Sequence, residues 1–336
     1  MDILKNKISK NNGAKNRWRN AKILIIDEIS MIDPDFFDKV EEIARFIRKN
    51  NKPFGGIQVI ATGDFYQLPP VNGDKLCFES KSWDLIFDEK IELTEIYRQS
   101  DFKFKKILNE IRYGNISPET EVEIKALERE IDCPQGIVPT YLYPLRSEVK
   151  KENEKRLIQL KGESKFYHSC DIGDPRLLEQ IKKNCPAPEV LELKLEAQVS
   201  LIKNLDNTLI NGSLGIVKGF SDKGYPIVYF PVSRRLEIIS PQEWVNEIPK
   251  VKEDSKSIMA KRIQIPLILA WALSIHKSQG QTLDFVRVDL SKIFECGQAY
   301  VALSRATSME GLQVVGFNKY KIKTNQKALQ LSDQLD

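Results

Sequence analysis

The sequence predicts an α/β protein built on a parallel sheet, with a small antiparallel β-barrel inserted in it. Three observations support this fold class. Strand-like and helix-like segments alternate through the first half of the chain, which is typical of α/β layers. Residues 23–26 (ILII) form a short continuous apolar run, as expected of a parallel strand that is buried on both faces. Residues 214–240 instead consist of short β-rich pieces separated by turn residues such as those at 221–224, which predicts the barrel.

The first long helix is predicted from its start signals. Asp33 suits the N-cap position and Pro34 suits the first helical position. Apolar residues then recur at helical spacing from Phe36 to Ile47. The sequence Pro-Phe-Gly-Gly at 53–56 ends this helix, and the next apolar strand follows at 57–60.

The remaining elements follow from the same apolar spacing and turn residues. Helices are predicted over 102–113 and 147–160. Strands are predicted over 199–202, 214–220, 225–230, 236–239 and 286–290. With 336 residues, the chain has room for two or more domains of ~100–200 residues each.

The composition narrows the function classes. Lys and Arg total 51 and Asp and Glu total 47. The resulting net charge of +4 is too small to indicate a nucleic-acid binder by itself, so any basic surface must be local. The longest apolar run, residues 263–275, falls short of the about 20 residues that a bilayer requires, so we expect no membrane partner. Five scattered cysteines and two histidines disfavour a structural zinc site and are typical of reduced thiols.

The N-terminal segment is basic. Its first 22 residues carry seven basic residues and one acid. Lysine outnumbers arginine there and serine occurs once, which fits a solvated basic arm better than a mitochondrial transit peptide. We therefore treat residues 1–22 as an arm ahead of the first strand.

Two adjacent carboxylates, Asp27 and Glu28, come directly after the first apolar strand. A parallel strand delivers its last residues to the edge of the sheet where ligands bind. One carboxylate there can hold Mg²⁺ through water, and the other can orient a water that attacks a phosphate. Four apolar residues followed by Asp-Glu also occur by chance, so the pair alone leaves the function open.

A second candidate element, Gly63–Val71 (GDFYQLPPV), follows the next apolar strand. Its glycine and proline pair enforce a fixed non-helical path. Gln67 offers both a donor and an acceptor, which suits it to sense a terminal phosphate or its water. The alternative is a rigid structural loop with Gln67 exposed.

Two arginines and a polar loop complete the candidate residues. Arg98 lies in Glu95–Gln99, and Arg305 lies in the segment 300–306. Arginines stabilise a transferring phosphoryl group, although single arginines are more often surface ion pairs. Residues 273–282 (LSIHKSQGQT) concentrate hydroxyl, amide and basic groups after an apolar run, and such groups can donate to backbone phosphates.

Together these segments resemble consecutive motifs of the petite integration frequency (PIF) family of DNA helicases, which are superfamily-one relatives of RecD. The resemblance is carried by LIIDEISMI (24–32), GDFYQLPPV (63–71), EIYRQ (95–99), LAWALSIHKSQGQT (269–282) and QAYVALSRA (298–306). Residues 36–58 are similar to the family's signature segment, and residues 204–206 and 211–215 match it too. The resemblance covers nearly the whole chain.

The family implies the fold in more detail: two RecA-like P-loop NTPase domains, the first truncated at its N-terminus, with a small SH3-like β-barrel insertion. The implied parts are a basic arm (1–22), a partial domain 1A (23–104), domain 2A in two pieces (105–218 and 263–325), insertion 2B (219–262) and a tail (326–336).

The resemblance also implies roles for the catalytic candidates. Asp27 would hold Mg²⁺ through water, and Glu28 would activate the attacking water. Gln67 would sense the terminal phosphate of ATP. Arg98 and Arg305 would contact that phosphate.

Further residues would bind the nucleotide and DNA. Gln279 and Gly280 would lie at the interface between the nucleotide and the strand. The implied DNA-binding residues are Arg45, Arg48, Lys49, His276, Lys277 and Asn211. The first three, with Lys52, recur at helical spacing and form a basic stripe that can follow a phosphate backbone or simply be solvated. Candidates for stacking on bases are Phe54, Tyr66 and Trp271, of which Trp271 is expected in the core.

The implied activity uses ATP and Mg²⁺ to move 5′ to 3′ along single-stranded DNA. A monomer would unwind forked duplexes or G-quadruplexes in the nucleus, the mitochondrion or both. The implied processes are repair, recombination and maintenance of telomeres and of the mitochondrial genome. Two alternatives stay open: a catalytically dead, helicase-derived protein that binds single-stranded DNA, and the helicase portion of a mobile-element polyprotein.

The family's first motif, the P-loop G-x-x-x-x-G-K-[ST], is missing, because the sequence contains no Gly-Lys-Ser or Gly-Lys-Thr. Only 22 residues precede the first strand, whereas a strand, phosphate loop, helix and return strand take about 30 residues or more. The chain is then a fragment or incomplete gene model, a truncated DNA-binding protein, or one part of a site that another chain completes. We favour the first. We expect the isolated chain to be poorly soluble and inactive as an ATPase, with an uncovered apolar sheet face.

Overall fold

The structure, a computed structural model, describes residues 1–70, 73, 75–134, 136–248 and 258–332. Val71 at the end of the predicted loop lies outside the described residues. So do residues 249–257 of the predicted insertion and 333–336 of the predicted tail.

Helices occur along the whole chain. In chain order they are α1 (Asp2–Lys10), α2 (Asn12–Asn20), α3 (Pro34–Arg48), α4 (Trp83–Ile86), α5 (Phe102–Tyr113), α6 (Pro118–Ala126), α7 (Arg146–Gln159), α8 (Pro175–Asn184), α9 (Ile275–Ser278), α10 (Gln298–Leu303) and α11 (Gln326–Ser332). Single turns of 3-10 helix occur at Ile29–Met31, Pro53–Gly56, Cys77–Glu79, Leu290–Lys292 and Lys319–Lys321.

The strands are short, three to seven residues each. They are β1 (Ile23–Ile26), β2 (Gln58–Ala61), β3 (Thr140–Tyr143), β4 (Lys165–His168), β5 (Cys170–Gly173), β6 (Val190–Leu193), β7 (Gln198–Leu201), β8 (Leu214–Phe220), β9 (Pro226–Phe230), β10 (Arg235–Ile238), β11 (Gln242–Ile248), β12 (Ile258–Gln264), β13 (Leu267–Leu269), β14 (Ala272–Ser274), β15 (Val286–Asp289) and β16 (Leu312–Val315).

The first α/β unit holds a two-stranded parallel sheet, in which β1 pairs with β2 from Ile23 opposite Gln58 to Ile26 opposite Ala61. Helix α3 starts as predicted, since the Asp33 side chain accepts a hydrogen bond from the Phe36 amide at 2.9 Å. Its buried face packs with Trp83 and the 3-10 turn at 53–56 into one apolar core. Ile25 is 68 % exposed, so an uncovered apolar sheet face is present as predicted.

The second α/β unit holds a four-stranded parallel sheet in the order β14-β3-β15-β16. Helices α5 and α10 pack on it, and their buried residues join those of the strands in the largest apolar core. The predicted helix at 102–113 matches α5, and the predicted strand at 286–290 matches β15 to within one residue. The parallel α/β class is therefore confirmed.

The β-rich part forms a five-stranded antiparallel sheet in the order β10-β9-β8-β7-β13. A separate three-stranded sheet has the strand order β11-β12-β5. The predicted strands at 214–220, 225–230 and 236–239 are found within one residue as β8, β9 and β10. Among the described residues these sheets are open in strand order, and β8 crosses the predicted limit between 218 and 219.

The N-terminal 22 residues are folded. Helices α1 and α2 pack against α3, and Trp18 and Ala21 join the apolar core of the first unit. Residues 1–22 are thus two packed helices where a solvated basic arm was predicted, because α2 places Trp18 against that core. In the part of the chain that the structure describes, no helix has the length and apolar character needed to cross a membrane.

Candidate functional site

The two predicted carboxylates lie at the carboxyl end of β1 in fixed positions. Asp27 Oδ1 accepts hydrogen bonds from Thr62 Oγ1 at 2.6 Å and from the Glu28 amide at 2.9 Å. Glu28 has φ of +52°, a left-handed conformation that costs an L-residue roughly 1–2 kcal/mol. The backbone amide of the next residue, Ile29, donates to the backbone carbonyl of Thr62 at 2.9 Å. The residue that follows β2 therefore holds the strained turn in place.

One side chain from the second unit joins the two predicted catalytic elements. Gln279 Nε2 donates to Glu28 Oε2 at 3.2 Å and to Gln67 Oε1 at 3.2 Å. Gln67 Nε2 in turn donates to Asp64 Oδ2 at 3.3 Å. Gln279 Oε1 is buried and has no hydrogen-bond partner among the described residues, so a donor such as a water would satisfy it. We call Glu28, Gln67, Gln279 and Arg305 the phosphate-end cluster.

Arg305 is 1 % exposed and contacts no carboxylate in the described part of the chain. Its Nε donates to Val301 O at 2.9 Å and its Nη2 to Ser304 Oγ at 2.9 Å. Burial, and then the charge of Arg98, lower the pKa of Arg305 to about 10, while Tyr300 and Glu28 act in the opposite direction. The guanidinium therefore stays charged at neutral pH without a matching anion, which favours an incoming phosphate.

Arg98 is exposed, and its neighbour keeps it beside Arg305. Gln99 is 3 % exposed and donates from Nε2 to Ser304 O at 3.2 Å and to Ala306 O at 3.1 Å. These two carbonyls flank Arg305 in sequence. The linker that carries Arg98 is thus anchored to the segment that carries the second arginine.

Two glycines shape the cluster in different ways. Both Gly280 and Gly297 have φ of +76°. A Cβ on Gly280 would have no atom within 4 Å, so this position borders open space beside Gln279. A Cβ on Gly297 would overlap the carbonyl oxygens of Tyr66 and Gln67. The start of α10 therefore packs directly on the loop that carries Gln67.

A half-buried arginine, Arg112, lies behind Gln67. Arg112 Nη2 is 3.2 Å from Asp64 Oδ1, and its Nη1 is 3.7 Å from Glu92 Oε1. Its guanidinium lies 4.5 Å from the ring centre of Tyr66 and 5.3 Å from that of Tyr113. Because Asp64 also accepts from Gln67, α5 supports the orientation of the predicted phosphate sensor.

Three predicted DNA-binding residues lie near the cluster in the chain or in space. Short helix α9 carries His276, which is half-buried, and Lys277, which is exposed, directly before Gln279. Asn211 is exposed in the turn before β8, and its amide donates to Asn204 Oδ1 at 2.8 Å. A Cβ on the next residue, Gly212, would lie 3.6 Å from Thr282 O, so this turn approaches the end of the 273–282 segment.

The three predicted DNA-binding residues on α3 differ in environment. Lys49 is exposed at the helix end. Arg45 Nε pairs with Glu41 Oε1 at 2.7 Å. Arg48 donates from Nε to Gly55 O at 2.7 Å and from Nη1 to Trp18 O, Arg19 O and Ala21 O at 2.7, 2.8 and 3.0 Å. Arg48 thus joins α2, α3 and the turn at 53–56, a structural role that the basic-stripe pattern did not predict.

The three aromatic candidates for base stacking are all buried. Phe54 is 0 %, Tyr66 6 % and Trp271 6 % exposed, and each packs in an apolar core. Trp271 was expected there, whereas stacking by Phe54 or Tyr66 would require their rings to leave the core. A cavity of about 770 Å³ lies between residues 94–97 and α5, and its lining contains none of the predicted site residues.

Three residues that orient the predicted site residues were not predicted from the sequence. They are Asp64 and Arg112, which support Gln67, and Gln99, which anchors the segment that carries Arg98. Asp64 and Gln99 lie within the motifs that carried the resemblance, next to residues that were singled out. Their place in the same short motifs as Gln67 and Arg98 was the available signal. Arg112 gave no such signal, because it reads as an ordinary charged residue on an amphipathic helix.

Comparisons with known proteins show the family to which the chain is similar. A family model described as "PIF1-like helicase" matches residues 1–122, and one described as "DNA helicase Pif1, 2B domain" matches residues 176–220. A crystal structure of Pif1 helicase from Candida albicans is 43 % identical, with a TM-score of 0.80, over 100 % of this chain and 82 % of that one. The chain belongs to the PIF1-like helicase family. Its two-unit α/β architecture is thus the RecA-like helicase fold that the sequence predicted.

Two further relatives define the extent of this match to the PIF1-like family. The ATP-dependent DNA helicase PIF1 of Emericella nidulans is 41 % identical over 382 aligned residues, covering 96 % of this chain and 51 % of the relative. The chain spans about half the length of the curated relatives it matches. Bacteroides Pif1 in complex with ADP-AlF4 is 28 % identical, with a TM-score of 0.81, over 96 % of this chain and 76 % of that one. The match to the 2B model ends at residue 220, near the start of the predicted 219–262 insertion, whose limits stay a prediction.

Proposed function

We propose that the chain acts as an ATP-dependent DNA helicase that moves 5′ to 3′ along single-stranded DNA. The observation that carries the proposal is the Gln279 bridge. It joins Glu28 and Gln67 of the first unit to the segment that precedes Arg305 in the second. Relatives of about 40 % identity bear the name ATP-dependent DNA helicase, and a structural relative binds ADP-AlF4.

The phosphate-end cluster contains groups that would act on a terminal phosphate. Glu28 is placed to accept a proton from an attacking water. Gln67 and Gln279 can orient that water, and the unpartnered Gln279 oxygen offers it an acceptor. Arg305 and Arg98 supply positive charge where negative charge develops on the phosphoryl oxygens.

Mg²⁺ fits this arrangement only together with the nucleotide. Asp27 is exposed, and one of its carboxylate oxygens is already used by Thr62 and Glu28. Among the described residues no group of three or more His, Cys, Asp or Glu is placed to hold a metal ion. Mg²⁺ in nucleotide enzymes is held by one or two carboxylates plus phosphates and water. We therefore propose that Asp27 holds it through water while the phosphates supply further ligands.

The part of an ATP site that the sequence lacks is the P-loop. Its lysine and backbone amides cradle the β- and γ-phosphates, and no Gly-Lys pair occurs among the 336 residues. We expect a polypeptide of these residues alone to show no ATP turnover. The second candidate function is a helicase-derived protein that binds single-stranded DNA without hydrolysing ATP.

DNA contact and phosphate contact are proposed to be coupled through α9. Lys277 and His276 would contact the strand, and Gln279, two residues after Lys277, contacts Glu28 and Gln67. A shift of α9 would move both contacts together. A structure of Bacteroides Pif1 bound to single-stranded DNA supports that DNA form as a substrate. A second structure, described as DNA unwinding at forked duplex DNA by two coordinating Pif1 helicases, supports the forked form.

The finer parts of the proposal rest on the family resemblance. They are action on G-quadruplexes, a monomeric state and a place in repair, recombination and maintenance of telomeres and the mitochondrial genome. The nucleus and the mitochondrion are the proposed locations.

The DNA half of the proposal is tested by fluorescence anisotropy with a labelled oligo(dT) across a salt series. Lys277→Ala should lower the magnitude of the salt slope by about 0.7, which is about five-fold weaker binding at 0.1 M salt. Lys155→Ala, which removes an exposed charge from α7, is the matched control and should bind like the unaltered chain. Absence of binding by the unaltered chain would refute the DNA half.

The ATP half is tested after a P-loop segment from the Candida albicans relative is joined ahead of residue 1. A helicase should then unwind a duplex with a 5′ single-stranded tail and leave one with a 3′ tail intact. DNA binding without ATP turnover in the joined polypeptide would select the second candidate function instead.

A further inference from the structure

A basic cavity of about 570 Å³ lies between the N-terminal helices and the end of α3. It shares no residue with the phosphate-end cluster or with α9. Its lining includes five cationic side chains, Lys5, Lys15, Arg19, Arg45 and Lys49. Glu42 is the one carboxylate among its lining residues. We call this cavity the N-terminal basic pocket.

Two of the five cations are neutralised within the fold. Lys5 Nζ lies 2.5 Å from Glu42 Oε1, and Arg45 Nε lies 2.7 Å from Glu41 Oε1. In the described ranges, the other three, Lys15, Arg19 and Lys49, contact no carboxylate. Arg19 Nε instead donates to the carbonyl of Ile47 at 3.3 Å, in the last turn of α3.

The C-terminal end of α3 does not account for these three cations without a carboxylate partner. A helix C-terminus carries about half a negative charge and attracts cations, so some basic residues are expected there. Three unpaired cations exceed that partial charge several-fold. The excess is the electrostatic feature of a site that takes an anion.

The pocket also contains an exposed aromatic ring. Phe46 is 46 % exposed although it lies on α3 among the cations. Positive side chains that follow a backbone, together with an aromatic surface for bases, are the two components of single-strand binding sites. A volume of about 570 Å³ also exceeds what a lone phosphate ion needs and falls in the range of pockets that hold small organic ligands.

We propose that the N-terminal basic pocket is a second nucleic-acid site, which takes a phosphate, its sugar and a base of single-stranded DNA. This second site rests on the proposed function, because it adds a contact to the same DNA partner. Lys15, Arg19 and Lys49 would contact the backbone, and Phe46 would stack on the base. The basic N-terminal helices would then have a role in DNA binding.

The test is oligo(dT) binding by the whole chain carrying Lys15→Ala and Lys49→Ala. Loss of two phosphate contacts should lower the magnitude of the salt slope by about 1.4, which is about 25-fold weaker binding at 0.1 M salt. Lys15→Arg with Lys49→Arg keeps both charges and should bind normally. Phe46→Ala should weaken binding roughly five-fold or more without changing the salt slope.

The matched control is Lys151→Ala with Lys155→Ala, which removes two exposed charges from one face of α7. It should leave the slope unchanged. Circular dichroism and melting curves establish that each variant is folded, and Lys15→Gln with Lys49→Gln replaces the alanine pair if that pair unfolds.

The outcomes separate this inference from the proposed function. If Lys277→Ala weakens binding while the pocket variant has the slope and affinity of the unaltered chain, the pocket inference alone is overturned. If the α7 control weakens binding as much as the pocket variant, the effect is one of net charge and the inference fails. No binding by the unaltered chain would overturn both.

Discussion

Arg48 gives the sharpest prediction, because the structure assigns it a role in the fold where the sequence suggested a DNA contact. Its Nε and Nη1 groups reach four carbonyls at 2.7–3.0 Å, in Gly55, Trp18, Arg19 and Ala21. The Gly55 carbonyl accepts the single hydrogen of Nε, and the other three carbonyls share the two hydrogens of Nη1. Three N–H donors of Arg48 are therefore hydrogen-bonded. Arg48→Ala removes all three donors at once and leaves the buried Gly55 carbonyl without this partner.

The expected cost follows from these contacts. At about 1 kcal/mol net for each hydrogen bond, Arg48→Ala should lower the free energy of unfolding by about 3 kcal/mol. At about 2–4 °C per kcal/mol, the apparent melting temperature should fall by roughly 6–12 °C. Arg48→Lys keeps the charge but cannot reach all these carbonyls, so it should also destabilise the protein.

The assay is thermal and urea unfolding followed by circular dichroism. Lys49→Ala is the matched control, because it removes the neighbouring charge from an exposed side chain and should change stability by less than about 0.5 kcal/mol. If Arg48→Ala unfolds at the same temperature as Lys49→Ala, the structural role assigned to Arg48 is wrong. A loss of DNA affinity in an Arg48 variant is interpretable only after this measurement.

Three further predictions concern packing, a buried ion pair and pH. Gly297→Ala should cost about 2–3 kcal/mol in urea unfolding, because its Cβ would overlap the carbonyl of Gln67; Gly280→Ala, at the same φ but in open space, should cost about 1 kcal/mol, and equal costs would contradict this. Arg262 is 2 % exposed and contacts both carboxylate oxygens of Asp171 at 2.7 Å, so Arg262→Ala should cost about 3–5 kcal/mol. The hydrogen bonds from Arg262 lower the pKa of Asp171. The stability contributed by this carboxylate is therefore present above pH ~4 and is lost as the pH falls through the lowered pKa. A stability–pH curve of Asp171→Asn should lack this acid-side loss, and an unchanged curve would refute the assignment.

Local signals predicted the elements that depend on local chemistry. The Asp33–Pro34 start of α3, the apolar spacing of α5 and the turn-bounded strands β8–β10 all lie within one residue of their predicted positions. Each has its own cap, periodicity or turn residue. The meeting of Asp27, Glu28 and Gln67 was also predictable, because parallel strands end at one edge of a sheet.

Other features depend on contacts between distant segments and could not be predicted from local patterns. Helices α1 and α2 are stabilised by packing on α3, and their polar sequence carries a weak apolar signal. Arg48 lies on a stripe that is typical of a solvated face, and nothing local shows that three of its four carbonyl partners come from residues 27–30 positions away. The link from Arg112 through Asp64 to Gln67 joins residues whose separation in sequence is 48 and 3.

We propose that Glu28, held by Gln279 beside Gln67, prepares water for attack on a terminal phosphate. The most direct measurement is the steady-state ATPase rate of Glu28→Gln in the polypeptide joined to a P-loop segment, with single-stranded DNA present. We expect a kcat lower by about 10²–10⁴-fold with little change in KM for ATP, because the general base is lost while the binding groups remain. Glu154→Gln, an exposed change on α7, should leave kcat unchanged. A Glu28→Gln enzyme that turns over ATP at the unaltered rate would contradict the role of Glu28 as the general base.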